Sequence, residues 1–258
     1  MWKISIMSTV TLVGAGPGDL DLLTIKGMNA IKEADVILYD ALVNEEMLKY
    51  AKQGVKCIYV GKKFGNHKYS QLEINDLLLE CSLYYNKVVR LKGGDSFVFG
   101  RGAEEMTFLE ESGLEVKVIP GITSAIAVPE LQGIPLTKRK ISESFMVVTG
   151  VNSSGKISND LIYGAKSNTT LVILMGLRKL SEIMDLVSLY RSSNTPFAII
   201  QNGSLFNERF YINKIGNYNK VKNELDCEFP GVIVIGDVVA EHPQFLSEEI
   251  HRVLERFS

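Results

Sequence analysis

Short runs of Val, Ile and Leu alternate along this chain with stretches whose apolar positions recur at helical spacing. Residues 9–13 (TVTLV), 35–39 (DVILY), 56–60 (KCIYV), 87–91 (KVVRL) and Glu115–Ile119 (EVKVI) read as strands. Residues 22–34 and 70–84 read as helices between them, the second carrying Leu72, Leu77, Leu78 and Leu79. Near-continuous apolar strands separated by helices predict a parallel sheet covered on both faces. Pro120-Gly121 punctuates the end of this unit. A helical stretch over 122–131 follows, then strands at Phe145–Thr149, 169–175, Pro196–Gln201 and Gly231–Ile235. A helix is expected at 179–190 and an amphipathic terminal helix at 246–257, whereas 151–167, rich in Ser, Asn and Gly, reads as loop. The fold class is therefore α/β, with two α/β domains, 1–120 and 121–258. A cleft between them is the default ligand site.

The segment V-G-A-G-P-G-D, residues 13–19, follows a strand and precedes a helix. Glycines there allow a tight turn and close approach of backbone to a ligand. The spacing departs from the dinucleotide-binding fingerprint, because the third glycine, Gly18, comes one position early and Pro17 lacks an amide donor. No Gly-Lys-Ser/Thr ends the loop, so it is not a Walker loop. A plain strand–helix turn stays open for this loop taken alone.

Composition sharpens the picture only slightly. The 258 residues are 46% hydrophobic and 22% charged, values that suit a buried core. The net charge of −2 argues against a global nucleic-acid binder or a polybasic membrane protein, though not against a local cationic pocket. Cys57, Cys81 and Cys227, with His67, His242 and His251, show no metal-ligand spacing, so no metal is expected. No apolar run reaches the roughly 18 residues of a membrane span, and the N-terminus lacks secretory-signal character. A cytoplasmic protein is the expectation.

Five segments together resemble one family: residues 12–24 (LVGAGPGDLDLLT), 35–43 (DVILYDALV), 90–105 (RLKGGDSFVFGRGAEE), 118–137 (VIPGITSAIAVPELQGIPLT) and 201–203 (QNG). The pattern resembles the uroporphyrinogen-III C-methyltransferases, a branch of the tetrapyrrole methylases, over residues 10–239. The resemblance implies a two-domain α/β fold distinct from the common Rossmann methyltransferase. It also implies a homodimer, with S-adenosylmethionine folded into the cleft between domains. Two successive methylations of uroporphyrinogen III would give precorrin-1 and then precorrin-2, a precursor of sirohaem, cobalamin or haem d1.

By the same resemblance Pro17, Gly93, Gly94, Asp95, Val98 and Phe99 line the donor pocket, Asp95 either touching the donor or holding its loop. Thr123, Ser124 and Ala125 meet the amino-acid part of the donor; helix N-capping is the plain alternative for the first two. Met175, Asn202 and Gly231 border the adenosine, although a methionine at a strand end is as readily core. Arg101, Glu104 and Arg139 belong to the tetrapyrrole site, with Lys62 a weaker third cation. Their plain alternatives are a solvated i,i+3 ion pair and a surface charge run. The octacarboxylate substrate favours arginine forks. Asp40 either accepts a pyrrole N–H or merely ends a strand, and His67 matches a family position without assigned chemistry. The chain departs from the family pattern at Ala41, Ser96, Ala103, Lys138 and Val151. Ala41 removes a cation usual near the substrate. A nucleotide-dependent oxidoreductase, a non-catalytic ligand-holding module and a methylase of a later corrin precursor are the competing readings.

Overall fold

The computed structural model describes residues 8–61, 69–245 and 247. Lys62, His67 and nearly all of the expected terminal helix lie outside the described residues. The chain divides into two units, Met1–Thr123 and Ser124–Ser258. Gly121 belongs to the first unit, where its amide donates at 3.0 Å to Oδ2 of Asp95 in the loop after the strand Lys87–Lys92.

The first unit runs β1 (Thr9–Gly14), α1 (Ile25–Glu33), β2 (Val36–Tyr39), β3 (Lys56–Tyr59), α2 (Gln71–Tyr84), β4 (Lys87–Lys92), α3 (Gly102–Glu111) and β5 (Glu115–Ile119). The sheet order is β3-β2-β4-β1-β5, parallel throughout. In β1 the buried residues split by parity, as the period of two requires. Val10 and Leu12 join one cluster with Ile74, Leu78 and Leu109 of α2 and α3; Val13 joins another with Ile31 of α1 and Met47. Helices therefore cover both faces. Thr24, whose hydroxyl accepts the Gly27 amide at 3.0 Å, starts α1 later than its apolar pattern suggests. Ser70 and Glu73 form a capping box that sets the start of α2.

Adjacent strands β1 and β4 send their chains to opposite faces, since α1 packs in one cluster and α3 in the other. The carboxyl ends of β1 and β4 are thus a topological switch point, where open α/β sheets form their ligand crevice.

The second unit contains α4 (Ser124–Leu131), β6 (Phe145–Thr149), α5 (Asp160–Lys166), β7 (Thr170–Leu174), α6 (Leu180–Ser188), β8 (Pro196–Gln201), β9 (Arg209–Lys214), α7 (Tyr218–Lys222) and β10 (Gly231–Ile235). Its order is β6-β7-β10-β8-β9. Only β6–β7 is parallel; the other three pairings are antiparallel. Two elements differ from the sequence expectation. The segment read as loop contains α5, a short helix that buries Leu161 and Ala165 one turn apart. The edge strand β9 was not foreseen, having one buried residue, Ile212. The Arg191 guanidinium ties this unit together. It donates to the carbonyl oxygens of Gly164, Ser167 and Thr169 at 2.6, 2.8 and 2.8 Å, and to those of Ala165 and Ile235 at 3.3 and 3.2 Å. No described helix is long and apolar enough to cross a membrane.

Candidate active site

Three glycines from distant parts of the first unit meet beyond the carboxyl ends of β1, β4 and β5. A Cβ on Gly14 would stand 2.5 Å from Gly121 Cα, and one on Gly121 would stand 2.2 Å from the Gly94 carbonyl oxygen. No side chain survives such distances, so backbone alone can pass there. Gly16 and Gly94 exchange amide–carbonyl bonds of 3.1 and 2.8 Å, which fastens the first loop to the Gly-Gly-Asp loop. Asp95 locks the arrangement. Its Oδ1 accepts the Phe97 amide at 2.8 Å and its Oδ2 the Gly121 amide at 3.0 Å. Of the two roles expected for Asp95, the geometry gives it the loop-holding one directly. A Cβ on Gly94, at φ 66°, would meet nothing within 4 Å, so this residue shows bare backbone to open space. Pro17 is half-buried in the same first loop, and Asn44 Nδ2 donates to Gly18 O at 2.9 Å, drawing the loop after β2 alongside. Gly93 abuts that loop too: its Cβ would lie 2.7 Å from Leu42 Cβ.

Asp40, just past β2, does not stand as a lone strand-end carboxylate. Arg90 Nη2 meets its Oδ1 at 2.5 Å, and Lys92 Nζ lies 3.7 Å from its Oδ2. Both cations are buried, and both reach Glu105 Oε1, at 3.2 and 2.9 Å. Burial, then the neighbouring Arg90, pushes the Lys92 ammonium below the ordinary lysine range. The sequence reading missed this set. Its signal was partial: Arg90 and Lys92 alternate with apolar residues in the buried part of KVVRLK, but nothing local ties them to Glu105.

Val98 closes a turn on Asp95, its amide reaching the Asp95 carbonyl oxygen at 3.3 Å. The half-exposed Phe99 that follows has φ 55°, and Arg101, capping α3, has φ 60°. Arg101 Nε donates to both oxygens of Glu104 at 3.1 Å, and each side chain is more than half exposed. That hydrogen bond holds Glu104 below the usual carboxylate range and Arg101 above its own. Arg101 is therefore a fixed cation, suited to binding an anion and unsuited to taking a proton.

In the second unit the carboxyl ends of β7 and β8 flank the start of β10, which brings Met175, Asn202 and Gly231 to one end of the sheet. Asn202 donates its amide to Pro230 O at 2.9 Å. Met175 is 54% exposed at φ 54°, so it is not the core residue that its strand suggested. Asn202, at φ 51°, is buried with Nδ2 lacking any hydrogen-bond partner, as is Gln201 Oε1. Six described non-glycine residues have positive φ, and four of them are candidate site residues: Phe99, Arg101, Met175 and Asn202. Each such conformation costs on the order of 1–3 kcal/mol, and this kind of strain concentrates at functional sites. Thr123 precedes α4 and Ser124 opens it, while the Ala125 side chain is wholly buried in the cluster containing Val172, Ile200 and Val232. Ala125 as a whole, backbone included, is 0% exposed. Arg139 lies exposed in the turn closed by Lys138 and Ser142. Among the described residues, no group of three or more His, Cys, Asp or Glu side chains could hold a metal.

Residues 9–218 match the model of the Tetrapyrrole (Corrin/Porphyrin) Methylases. The chain is 48% identical over 232 residues to the uroporphyrinogen-III C-methyltransferase of Methanocaldococcus jannaschii, covering 89% of this chain and 96% of that one. It is 44% identical to the siroheme synthase of Blochmanniella pennsylvanica across 90% of its own length, but it spans only 49% of that protein. Among solved structures, the uroporphyrin-III C-methyl transferase of Thermus thermophilus complexed with S-adenyl homocysteine superposes with a TM-score of 0.78. That match is 40% identical and covers 90% of this chain and 99% of that one.

Proposed function

The chain belongs to the tetrapyrrole (corrin/porphyrin) methylases, and from that membership we propose that it methylates uroporphyrinogen III with S-adenosylmethionine, at two pyrrole carbons, giving precorrin-1 and then precorrin-2. One observation carries the reading: bare glycine backbone, locked by Asp95, lies at the switch point of the first sheet. The residues present fit the donor. Gly94 offers room without a side chain, and Asn202 Nδ2 is a buried hydrogen-bond donor without a partner. In this reading Pro17, Gly93, Gly94, Val98, Phe99, Ser124, Met175, Asn202 and Gly231 contact the donor. Thr123 meets its amino-acid part.

The donor supplies a methyl group already activated on a cationic sulfonium. The residues of the chain therefore need to supply chiefly alignment, and orientation of this kind is worth about 7–11 kcal/mol at its best. Arg101 and Arg139 hold substrate carboxylates as forks, and Glu104 fixes the Arg101 guanidinium. Asp40, the solvent-reaching member of its charge cluster, accepts a pyrrole N–H and sets the ring plane. A homodimer in the cytoplasm belongs to the same proposal.

The test is anaerobic turnover of enzymatically generated uroporphyrinogen III with methyl-labelled donor, read by mass spectrometry of the tetrapyrrole. Gain of two methyl groups is expected. Donor binding without methyl gain would overturn the substrate and direct attention to a later ring precursor, with Ala41 the first residue to restore to arginine.

A further inference from the structure

Four charged side chains lie together in the first unit, and only one of them reaches solvent. Arg90 and Lys92 are two residues apart on β4, so they project from the same face of the sheet. Their side chains are 2% and 3% exposed, and that of Glu105 is 0% exposed, against 28% for Asp40. Glu105 sits in the first turn of α3, where the helix N-terminus favours a carboxylate. A single oxygen, Oε1, accepts from Arg90 Nε, Lys92 Nζ and also Gln71 Nε2, the last at 3.0 Å from α2. The two anchored cations then address Asp40 separately, Arg90 at Oδ1 and Lys92 at Oδ2.

Stability alone does not account for this construction. Removing two cations and a carboxylate from water costs about as much as their attraction returns, and well-packed apolar residues would serve at least as well. The arrangement does fix geometry. Oδ1 of Asp40 is hydrogen-bonded by Arg90 and Oδ2 faces Lys92 at ion-pair distance, and both cations are held by one oxygen of Glu105.

We infer that Lys92, Arg90 and Glu105 are positioning residues for Asp40, a buried frame that holds its carboxylate in the one orientation in which it receives a pyrrole N–H. The inference rests on the reading of Asp40 as a substrate contact. It extends that reading to residues that touch no substrate. The first turn of α3 then serves the substrate twice: Glu104 faces outward to Arg101, and Glu105 faces inward to the frame of Asp40.

A double-mutant cycle on the full chain tests it. Lys92→Met removes the ammonium while keeping the stem. It should lower kcat about 10–100-fold at temperatures well below its Tm, as slight misplacement of a catalytic contact does, with S-adenosylhomocysteine affinity little changed; Tm itself should fall, because a buried carboxylate loses a partner. In an Asp40→Asn background the same substitution should cost under about twofold, because its route to the substrate is already lost. An equal loss in both backgrounds, or no loss in the native one, overturns the inference. Should Lys92→Met not fold, Gln71→Met loosens the same Glu105 oxygen from the rim and should show a smaller kcat loss with the same dependence on Asp40. An additive loss there overturns the inference equally. If Asp40→Asn alone leaves turnover intact, the substrate role of Asp40 fails first and the inference falls with it.

Discussion

Asp95 uses both carboxylate oxygens on backbone amides, from Phe97 in its own loop and Gly121 after β5. Asp95→Ala leaves those amides without acceptors, at a cost of about 1–3 kcal/mol. It also loosens the Gly-Gly-Asp loop from Gly121, so S-adenosylhomocysteine binding, measured by calorimetry, should weaken by about tenfold or more. Unchanged affinity would show that the junction stands without this latch. At this scale the legibility of the sequence was uneven. Arg101 and Glu104 are visible as a pair because helical spacing alone places them together. Met175 was ambiguous because a methionine at the end of an apolar strand is as readily core, and only its exposure in the folded chain decides against that. The partnership of Arg90, Lys92 and Glu105 could not be read, since a contact between a strand and a later helix depends on packing that no local pattern encodes.

Among the elements, strands inside the sheets were the most legible, since buried strands write continuous apolar runs. Glu115–Ile119, Phe145–Thr149, Pro196–Gln201 and Gly231–Ile235 have the bounds their sequences suggest. The edge strand β9 alternates weakly, and α5 is too short for periodicity to stand out from its Ser- and Asn-rich surroundings. What secures α5 lies elsewhere in the chain: Arg191 takes up the carbonyls at its carboxyl end, joining the helix to the end of β10. Arg191→Ala should therefore destabilise the protein by roughly 2–4 kcal/mol in denaturant unfolding. Arg191→Lys should recover only part of this, because an ammonium reaches fewer acceptors than a planar fork. A loss below 0.5 kcal/mol, the usual range of a surface change, would refute the staple.

For the whole molecule, alternation of strand and helix revealed two α/β units but not their difference. The first sheet is wholly parallel, whereas the second turns antiparallel after β7, which apolar runs of similar length do not disclose. Stability of the whole also carries a pH signature. His242, stacked 4.6 Å from Phe210 with Nδ1 accepting the Gln244 amide, is held by burial below the usual histidine range. As pH falls, the unfolded chain takes up this proton first. The stability His242 contributes is complete above about pH 6.5 and is lost as pH drops through the lower folded value. Thermal midpoints should fall between pH 7.5 and 5, and His242→Gln should flatten that slope. An unaltered slope would assign the acid sensitivity to other groups.

The crossing of Gly14, Gly94 and Gly121 bears on how such a chain can diverge. Each of these positions is defined by the backbone of another segment, so three distant codons form one unit of inheritance. A mutation at any of them cannot be rescued nearby, because there is no side chain beside it to shrink. Drift is instead open to the residues one step out.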